Sequence, residues 1–509
     1  MGNETELKLR CRPADLTALR DHPRLQGADH ERRQLVATYY DTPTLDLRSA
    51  GLALRVRQEG ERWVQTLKTE GRSVGSLHLR QELNDPVEGS DLDRSKLPVM
   101  GDLGRVFDNQ TLRANLAPVL VTDVTRDRYL VTDDRANRIE CALDQGEVRA
   151  NGQRVPLCEV ELELLAGDVS ALYGLGLDLS EAAAFGPQVL NKAELGYALL
   201  SGAAVEPVFA SLPDLDGEAS TETALVAILD QCLNHMLANE ASVLAGQVEG
   251  VHQMRVALRR LKSCLSVFKP ALAPQSSDPI KNGIRWLNEG LGPVRDWDVF
   301  QENLQPISDA FLDRPGVGRF VSEAVAIRAR HFSDLEARLT SREFGRFVLT
   351  VGAWKQGKAW REGAAAEQTA LLDGPLHLFA AKVLGRQYKR MVRIGADFDA
   401  LPLEAKHALR LRAKSLRYTL QFFSNLYRKV STRPMLKALA GLQDSLGVLN
   451  DLVVAERLLD EAGLDRADST RSLIDGWYGA RTSAQLEHAG AAWASFLGAP
   501  RPWKHPKHT

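Results

Sequence analysis

The sequence predicts a molecule in two parts, an antiparallel sheet or barrel followed by an all-helical domain. Three observations predict it. Apolar and charged residues alternate with period two over the first 165 residues, the period changes to 3.6 from about Glu218, and the net charge of −2 hides two parts of opposite sign. Residues 1–216 carry 25 Lys+Arg against 35 Asp+Glu, a balance of −10; residues 217–509 carry 39 against 31, a balance of +8. Opposite signs point to different partners for the two parts. A composition of 44% hydrophobic and 26% charged residues excludes wholesale disorder. No run of 18 uncharged apolar residues exists, so no transmembrane helix is expected, and the charged N-terminus does not read as a signal peptide. Five scattered cysteines without a C-x-x-C pair exclude a disulfide framework and a structural zinc site, which fits a reducing cytoplasm.

The strand runs are Glu4 to Arg10, Leu52 to Arg57, Val64 to Lys68, His78 to Glu82, Arg138 to Asp144 and Glu159 to Leu164, with turns such as Asp41-Thr-Pro43 and Asn151-Gly152 between them. Residues 168–200 are expected to be helical. A stretch with Pro207 and Pro213 marks a linker, so the domains read as 1–202, linker 203–217, and 218–505, with a frayed tail from Arg501.

The charged strand faces are unusually pure. Glu4, Glu6, Lys8 and Arg10 share one face, with Leu7 and Leu9 opposite. Arg55 pairs in this way with Arg57, Thr66 with Lys68, Arg126 with Arg128, and Glu140 with Asp144; His78, Arg80 and Glu82 share a face, as do Glu159, Glu161 and Glu163. Carboxylates spaced by two on a strand lie about 7 Å apart and repel unless cations stand among them. A solvated outer face with surface ion pairs is the alternative, but so many strands with such faces taken together favour a closed sheet with charges inward. Its lumen would hold phosphate oxygens on Arg and Lys and hard cations on carboxylates. That is equipment for hydrolysing a phosphoanhydride with a metal-activated water.

Glu4-Thr-Glu6-Leu-Lys8 resembles the E-x-E-x-K signature of the CYTH family, the triphosphate tunnel metalloenzymes. Tyr39-Tyr-Asp-Thr-Pro43, Leu54-Arg55-Val-Arg57, Thr66-Leu-Lys68, Leu143-Asp144-x-Gly146, Glu159-Val-Glu161-Leu-Glu163 and Asn191-Lys192 with Gly196-Tyr197 resemble its later motifs in order. The resemblance covers roughly residues 1–200 and implies an eight-stranded antiparallel tunnel with helices outside. It implies that Glu4, Glu6, Glu161 and Glu163 hold metal, and that Lys8, Arg10, Arg55, Arg57, Lys68, Arg80, Arg126, Arg128 and Lys192 hold phosphates. Asp144 would lie near the metal or the attacking water. Glu194-Leu195 departs from the family pattern, in which an arginine often precedes the glycine.

The helical part contains an internal repeat. His252, Arg255, Arg259 and Lys262 stand at the same offsets as His407, Arg410, Lys414 and Arg417, and each set lies within an arc of roughly 80° on a helix. Leu291-Gly-Pro-Val-Arg-Asp296 and Leu446-Gly-Val-Leu-Asn-Asp451 follow, each Asp 44 positions after its His. This reads as two homologous units, near 218–360 and 370–500, facing each other across a pseudo-twofold axis. Like charges along a stripe repel, so two facing stripes, widened by Arg260 and Arg412, form a basic cleft for a polyanion. The opposing possibility is pairing with Asp296, Asp298, Asp444 and Asp451. Aromatic residues interleave poorly, which disfavours nucleic acid. A His beside arginines stays neutral until phosphate binds, and binding takes up a proton. The stripes resemble the CHAD domain, a helical family named for its histidines. That resemblance implies that His252, Arg255, Arg259, Arg260, Lys262, His407, Arg410, Lys414 and Arg417 bind inorganic polyphosphate.

The expectation is therefore a cytoplasmic inorganic triphosphatase using Mg²⁺ or Mn²⁺. The catalytic set would be Glu4, Glu6, Lys8, Asp144, Glu161 and Glu163, with a polyphosphate-binding helical domain that places the protein at polyphosphate granules. Two alternatives stand: a non-catalytic polyphosphate binder, and a nucleoside or thiamine triphosphatase, for which Trp63 could supply an organic contact.

Overall fold

The computed structural model describes residues 2–98, 101–202, 204–311 and 313–504. The chain divides into two compact units. The first takes the chain up to Glu206 together with Arg338–Lys358; the second takes Pro207–Ala337 and the chain from Ala359 onward.

The first unit is built on strands β1 (Gly2–Arg10), β2 (Asp29–Asp41), β3 (Leu52–Glu59), β4 (Arg62–Thr69), β5 (Arg72–Val74), β6 (Leu77–Val87), β7 (Ala117–Thr132), β8 (Arg138–Ala150), β9 (Gln153–Ala166) and β10 (Gly186–Pro187). Eight of them close in the order β1-β9-β8-β7-β2-β3-β4-β6, with β6 returning to β1, and every pairing is antiparallel. β5 and β10 are short additions alongside β6 and β1. The expected antiparallel barrel is therefore present.

Its sidedness inverts that of an ordinary protein. Leu7, Leu9, Val160 and Leu162 turn outward and are buried under the helices Leu16–Arg20 and Ser170–Leu179. Leu52, Leu54, Val56 and Leu67 turn outward under Phe107 and Leu112 from two further short helices. The apolar core thus surrounds the barrel, and the alternate residues are left for the lumen. β2 escapes a period-two reading because its first six residues, Asp-His-Glu-Arg-Arg-Gln, are polar on both faces and almost all exposed.

The expected helix over 168–200 is instead two helices, Ser170–Leu179 and Lys192–Ser201. Between them Gly186–Pro187 pairs with Leu9 and Arg10 of β1, and a proline in that stretch cannot continue a helix. The helix Arg342–Gln356 also belongs to this unit, with Leu349 buried in the core beside Leu172 and Tyr173.

The second unit is helical. Thr221–Ala238 and Leu376–Ile394 begin 155 residues apart, as do Val248–Phe268 and Leu403–Phe422, the spacing that also separates His252 from His407. The 34-residue helix Asp278–Phe311 corresponds to Lys429–Ser445 plus Gly447–Glu461, broken at Leu446. Equivalent helices pack on one another in all three sets, as two similar halves facing each other require. Two sequence expectations change here. From Pro207 the linker is fastened to this unit: Asn239 exchanges hydrogen bonds of 3.0 and 2.9 Å with the Val208 backbone, and Arg260 donates to the Ser211 carbonyl at 2.9 Å. Ala203, the first residue of that linker, lies outside the described residues. Residues Pro502–Lys504 form a turn with Trp503 buried against Tyr388 rather than a frayed tail, while 505–509 lie outside the described residues. Among the described residues, no helix is long and apolar enough to cross a membrane.

Candidate functional site

The barrel encloses a cavity of about 740 Å³. Glu4, Glu6, Lys8, Arg55, Arg57, Lys68, Arg80, Arg126, Asp144, Glu161, Glu163 and Lys192 all line it. Two expected residues do not. Arg10 follows the inward alternation in register but reaches the exposed end of β1, beside Gly186. Arg128 is partly exposed and bonds Glu140 at 2.7 Å, so it meets the cavity only through that carboxylate.

One side of the lumen is a closely knit ion cluster. Arg126 grips Asp144 with two bonds of 2.7 and 2.6 Å and also reaches Glu161. Lys192 lies 2.8 Å from Asp144 and 2.9 Å from Glu161, and bonds Glu159 as well; Lys8 bridges Glu161 and Glu6. Lys192 is aimed by a capping box: the Asn191 side chain accepts the amides of Ala193 and Glu194, and Glu194 returns to the Asn191 amide at 2.6 Å. Glu194, the residue that departs from the family pattern, is thus the one that starts this helix. Burial opposes ionisation of Glu161, yet Lys192, Lys8 and Arg126 hold it well below the usual carboxylate range. Burial pushes Glu159 up despite Lys192.

Beyond the cluster the balance of charge changes. Burial, and then the neighbouring Glu4, Glu140 and Glu6, push Glu163 up to about 7. Lys68 pairs with Glu4 at 2.8 Å and with Glu82 at 3.5 Å. Arg55, Arg57 and Arg80 each bury an Nε atom that has no hydrogen-bond partner. Buried guanidinium donors left unpaired are costly in a protein that keeps them so, and a phosphate oxygen satisfies them.

The carboxylate oxygens of Asp144, Glu159 and Glu161 lie within 4.8 Å of one another, the one such group among the described residues. Glu159 Oε2 is buried there with no hydrogen-bond partner. An all-oxygen set with an orphaned acceptor fits a hard divalent cation. Of the four expected metal ligands only Glu161 belongs to this group; Glu4, Glu6 and Glu163 line the cavity outside it. Glu159 shares the strand face of Glu161 and Glu163, so the alternation contained the signal. Glu82 and Glu140 also line the cavity and stand on faces already read as charged, whereas Tyr39 and Tyr197 came from no such pattern. Trp63 packs in the outer core with Leu52 and Leu67 and does not line the cavity.

The second unit holds a smaller cavity of about 230 Å³, lined by His252, Arg255 and Arg259 of one stripe and Arg410 and Lys414 of the other. The expected convergence of the stripes is present in part. Lys262 is exposed and His407 half-buried, and neither lines it; Arg417 bonds Gln443 at 3.1 Å instead. Arg260 is 6% exposed and stacks over Phe422, so it supports the helices rather than the cleft. Arg295, Asp296, Asn303, Asp451 and Tyr478 also line it; of these the sequence had offered Arg295, and Asp296 and Asp451 as pairing partners. Asp296 lies 3.5 Å from Arg255 and 2.7 Å from Arg457, so part of the stripe is paired. Arg259 and Arg410 nevertheless bury Nε atoms without a partner. Burial, then Arg410 and Arg259, push Lys414 down to about 8; burial and then Arg295 push His252 down.

Residues 2–197 match the family model for the CYTH domain, and residues 227–460 match that for the CHAD domain. The chain carries a CYTH domain followed by a CHAD domain. An inorganic triphosphatase of Haemophilus influenzae is 33% identical over 205 residues, 39% of this chain and 55% of that protein. An uncharacterized Mycobacterium tuberculosis protein is 27% identical over 190 residues, 37% of this chain and 36% of its own length. The chain thus spans about half, or less, of the length of these curated relatives. The crystal structure of the CHAD domain from the plant Ricinus communis is 32% identical, with a TM-score of 0.51 over 59% of this chain and 99% of that one.

Proposed function

We propose that the CYTH tunnel hydrolyses inorganic triphosphate or the ends of short polyphosphate with Mg²⁺ or Mn²⁺, and that the CHAD cleft binds inorganic polyphosphate. The observation that carries the first half is the lumen itself: Arg55, Arg57 and Arg80, each with an Nε that has no partner, line one cavity with Asp144 and Glu161 of the three-carboxylate group. The inorganic triphosphatase that is 33% identical over 205 residues supports the same reading.

Arg55, Arg57, Arg80 and Lys68 would take phosphate oxygens. Asp144, Glu159 and Glu161, with Glu4, Glu6 and Glu163 nearby, would hold the cation, which when bound polarises phosphate and activates water. Arg126 and Lys192 would keep Asp144 and Glu161 ionised and oriented, with Lys8 beside Glu161. The lining offers Tyr39 and Tyr197 but no stacked aromatic pair for a base, so a bare triphosphate fits better than a nucleotide. In the cleft, Arg255, Arg259, Arg410 and Lys414 would hold the polyphosphate chain, and this binding would draw the protein to polyphosphate granules.

The test is phosphate release from triphosphate with and without Mg²⁺, beside ATP, thiamine triphosphate and long polyphosphate, for the unaltered chain and Glu161→Gln. Metal-dependent release that is lost in the variant, with triphosphate the best substrate, is the expected result. No release from any of these, with polyphosphate still bound, would replace this reading by a binding protein. For the cleft, Arg255→Ala combined with Arg410→Ala should weaken polyphosphate binding and flatten its dependence on salt.

A further inference from the structure

Cys11 and Cys158 face each other where β1 leaves the barrel. The register that sets Arg10 opposite Glu159 continues to them, and the Cys11 amide donates to the Cys158 carbonyl at 3.0 Å. Their sulfur atoms are 3.4 Å apart, both as free thiols. Directly opposed antiparallel residues of this hydrogen-bonded kind hold their Cα atoms about 5.5 Å apart, inside the range that a disulfide spans. Cys11 is 7% exposed, but Cys158 is only half-buried and so can meet a reagent; Cys141, Cys232 and Cys264 are buried at 0%, 1% and 0%.

We propose that Cys11 and Cys158 are a reversible dithiol–disulfide site that takes a peroxide as oxidant. With hydrogen peroxide the Cys158 sulfur attacks one oxygen: an S–O bond forms, the O–O bond breaks, and the released hydroxide leaves as water with the thiol proton. The Cys11 sulfur then attacks the Cys158 sulfur; an S–S bond forms, the S–O bond breaks, and the hydroxide leaves as a second water with the Cys11 proton. The two thiols lose two electrons and the peroxide gains them. The bond ties β1 to β9 one residue before Glu159, whose carboxylate accepts from Lys192 and belongs to the three-carboxylate group. Oxidation therefore acts on the wall of the tunnel without entering it. The inference stands whether or not the tunnel is catalytic.

The full chain is treated with hydrogen peroxide, its remaining thiols are alkylated under denaturing conditions, and the unreduced digest is mapped by mass. The expected result is the loss of two of the five alkylatable thiols, one crosslinked peptide pair carrying Cys11 and Cys158, and its disappearance with dithiothreitol. Cys11→Ser should leave Cys158 as a sulfenic acid that a dimedone probe captures. Recovery of both as free thiols, as separately over-oxidised acids, or as links between two chains would overturn the assignment. The map of the unaltered chain decides this even if Cys11→Ser fails to fold.

Discussion

Arg57 shows at the scale of one residue what an anion would meet in the tunnel. Burial and the adjacent Arg55 push its guanidinium down, Glu59 takes one Nη, and its Nε has no partner. Arg57→Ala should leave the fold intact, with a thermal midpoint equal or higher, because a repulsion is relieved. It should raise KM for triphosphate about tenfold or more, the loss of a hydrogen bond to a charged group worth roughly 1.5–3 kcal/mol; steady-state kinetics beside a melting curve checks both. Lys414 does the same in the cleft, with a readable pH signature. Its free-state value is about 8 and a bound polyanion raises it, so binding takes up a proton. Affinity for polyphosphate should be full below pH 8 and fall as pH rises through 8 and beyond; Lys414→Arg, which stays charged, should flatten that fall. Titration calorimetry in two buffers of different ionisation enthalpy measures the proton directly. These side chains were legible because both parts place like charges on one face, by two in the strands and by three and four in the helices. Arg10 followed the same alternation, and Arg260 was read as widening the stripe beside it, yet both belong elsewhere: alternation gives a face but not where a barrel ends, and a stripe does not show which neighbour covers its edge.

At the scale of elements, the period-two runs marked six strands and left out β2, whose first half is polar on both faces, and β7, of which only the Arg126 and Arg128 face was read. The 3.6 period from about Glu218 took in the stretch that holds the helix Arg342–Gln356 and counted it with the helical part, since periodicity shows that a helix has a buried face and not which core receives it. Its glycines carry that information. A Cβ at Gly345 would meet the Phe185 carbonyl oxygen at 2.1 Å, and one at Gly352 would meet the Tyr173 ring at 1.9 Å. The helix lies this close to Ser170–Leu179 and β10 only because two side chains are missing. Gly345→Ala should cost about 1–3 kcal/mol of stability, since backbone cannot give way as a side chain can; Gly476→Ala, which meets nothing within 4 Å, should be neutral or slightly stabilising. Chemical denaturation of the two variants checks the contrast.

For the whole molecule, composition read a change of charge near residue 216 and a repeat of basic helices after 155 residues. What composition could not give is that the chain passes between its units three times, after Glu206, after Ala337 and after Lys358. The tunnel is therefore not a module that can be lent out by a single cut. A chain stopped at Glu206 keeps every strand and every lumen charge, yet it loses Leu349 and bares the apolar ground of Leu172, Tyr173 and Phe185. Such a chain should bind a hydrophobic dye and precipitate at concentrations the full chain tolerates, and a synthetic peptide of residues 338–358, added separately, should quench the dye and restore solubility. Gene fusion and domain shuffling would meet the same obstacle: whatever inherits this tunnel must inherit, from well inside the sequence of its neighbour, the one helix that closes its side.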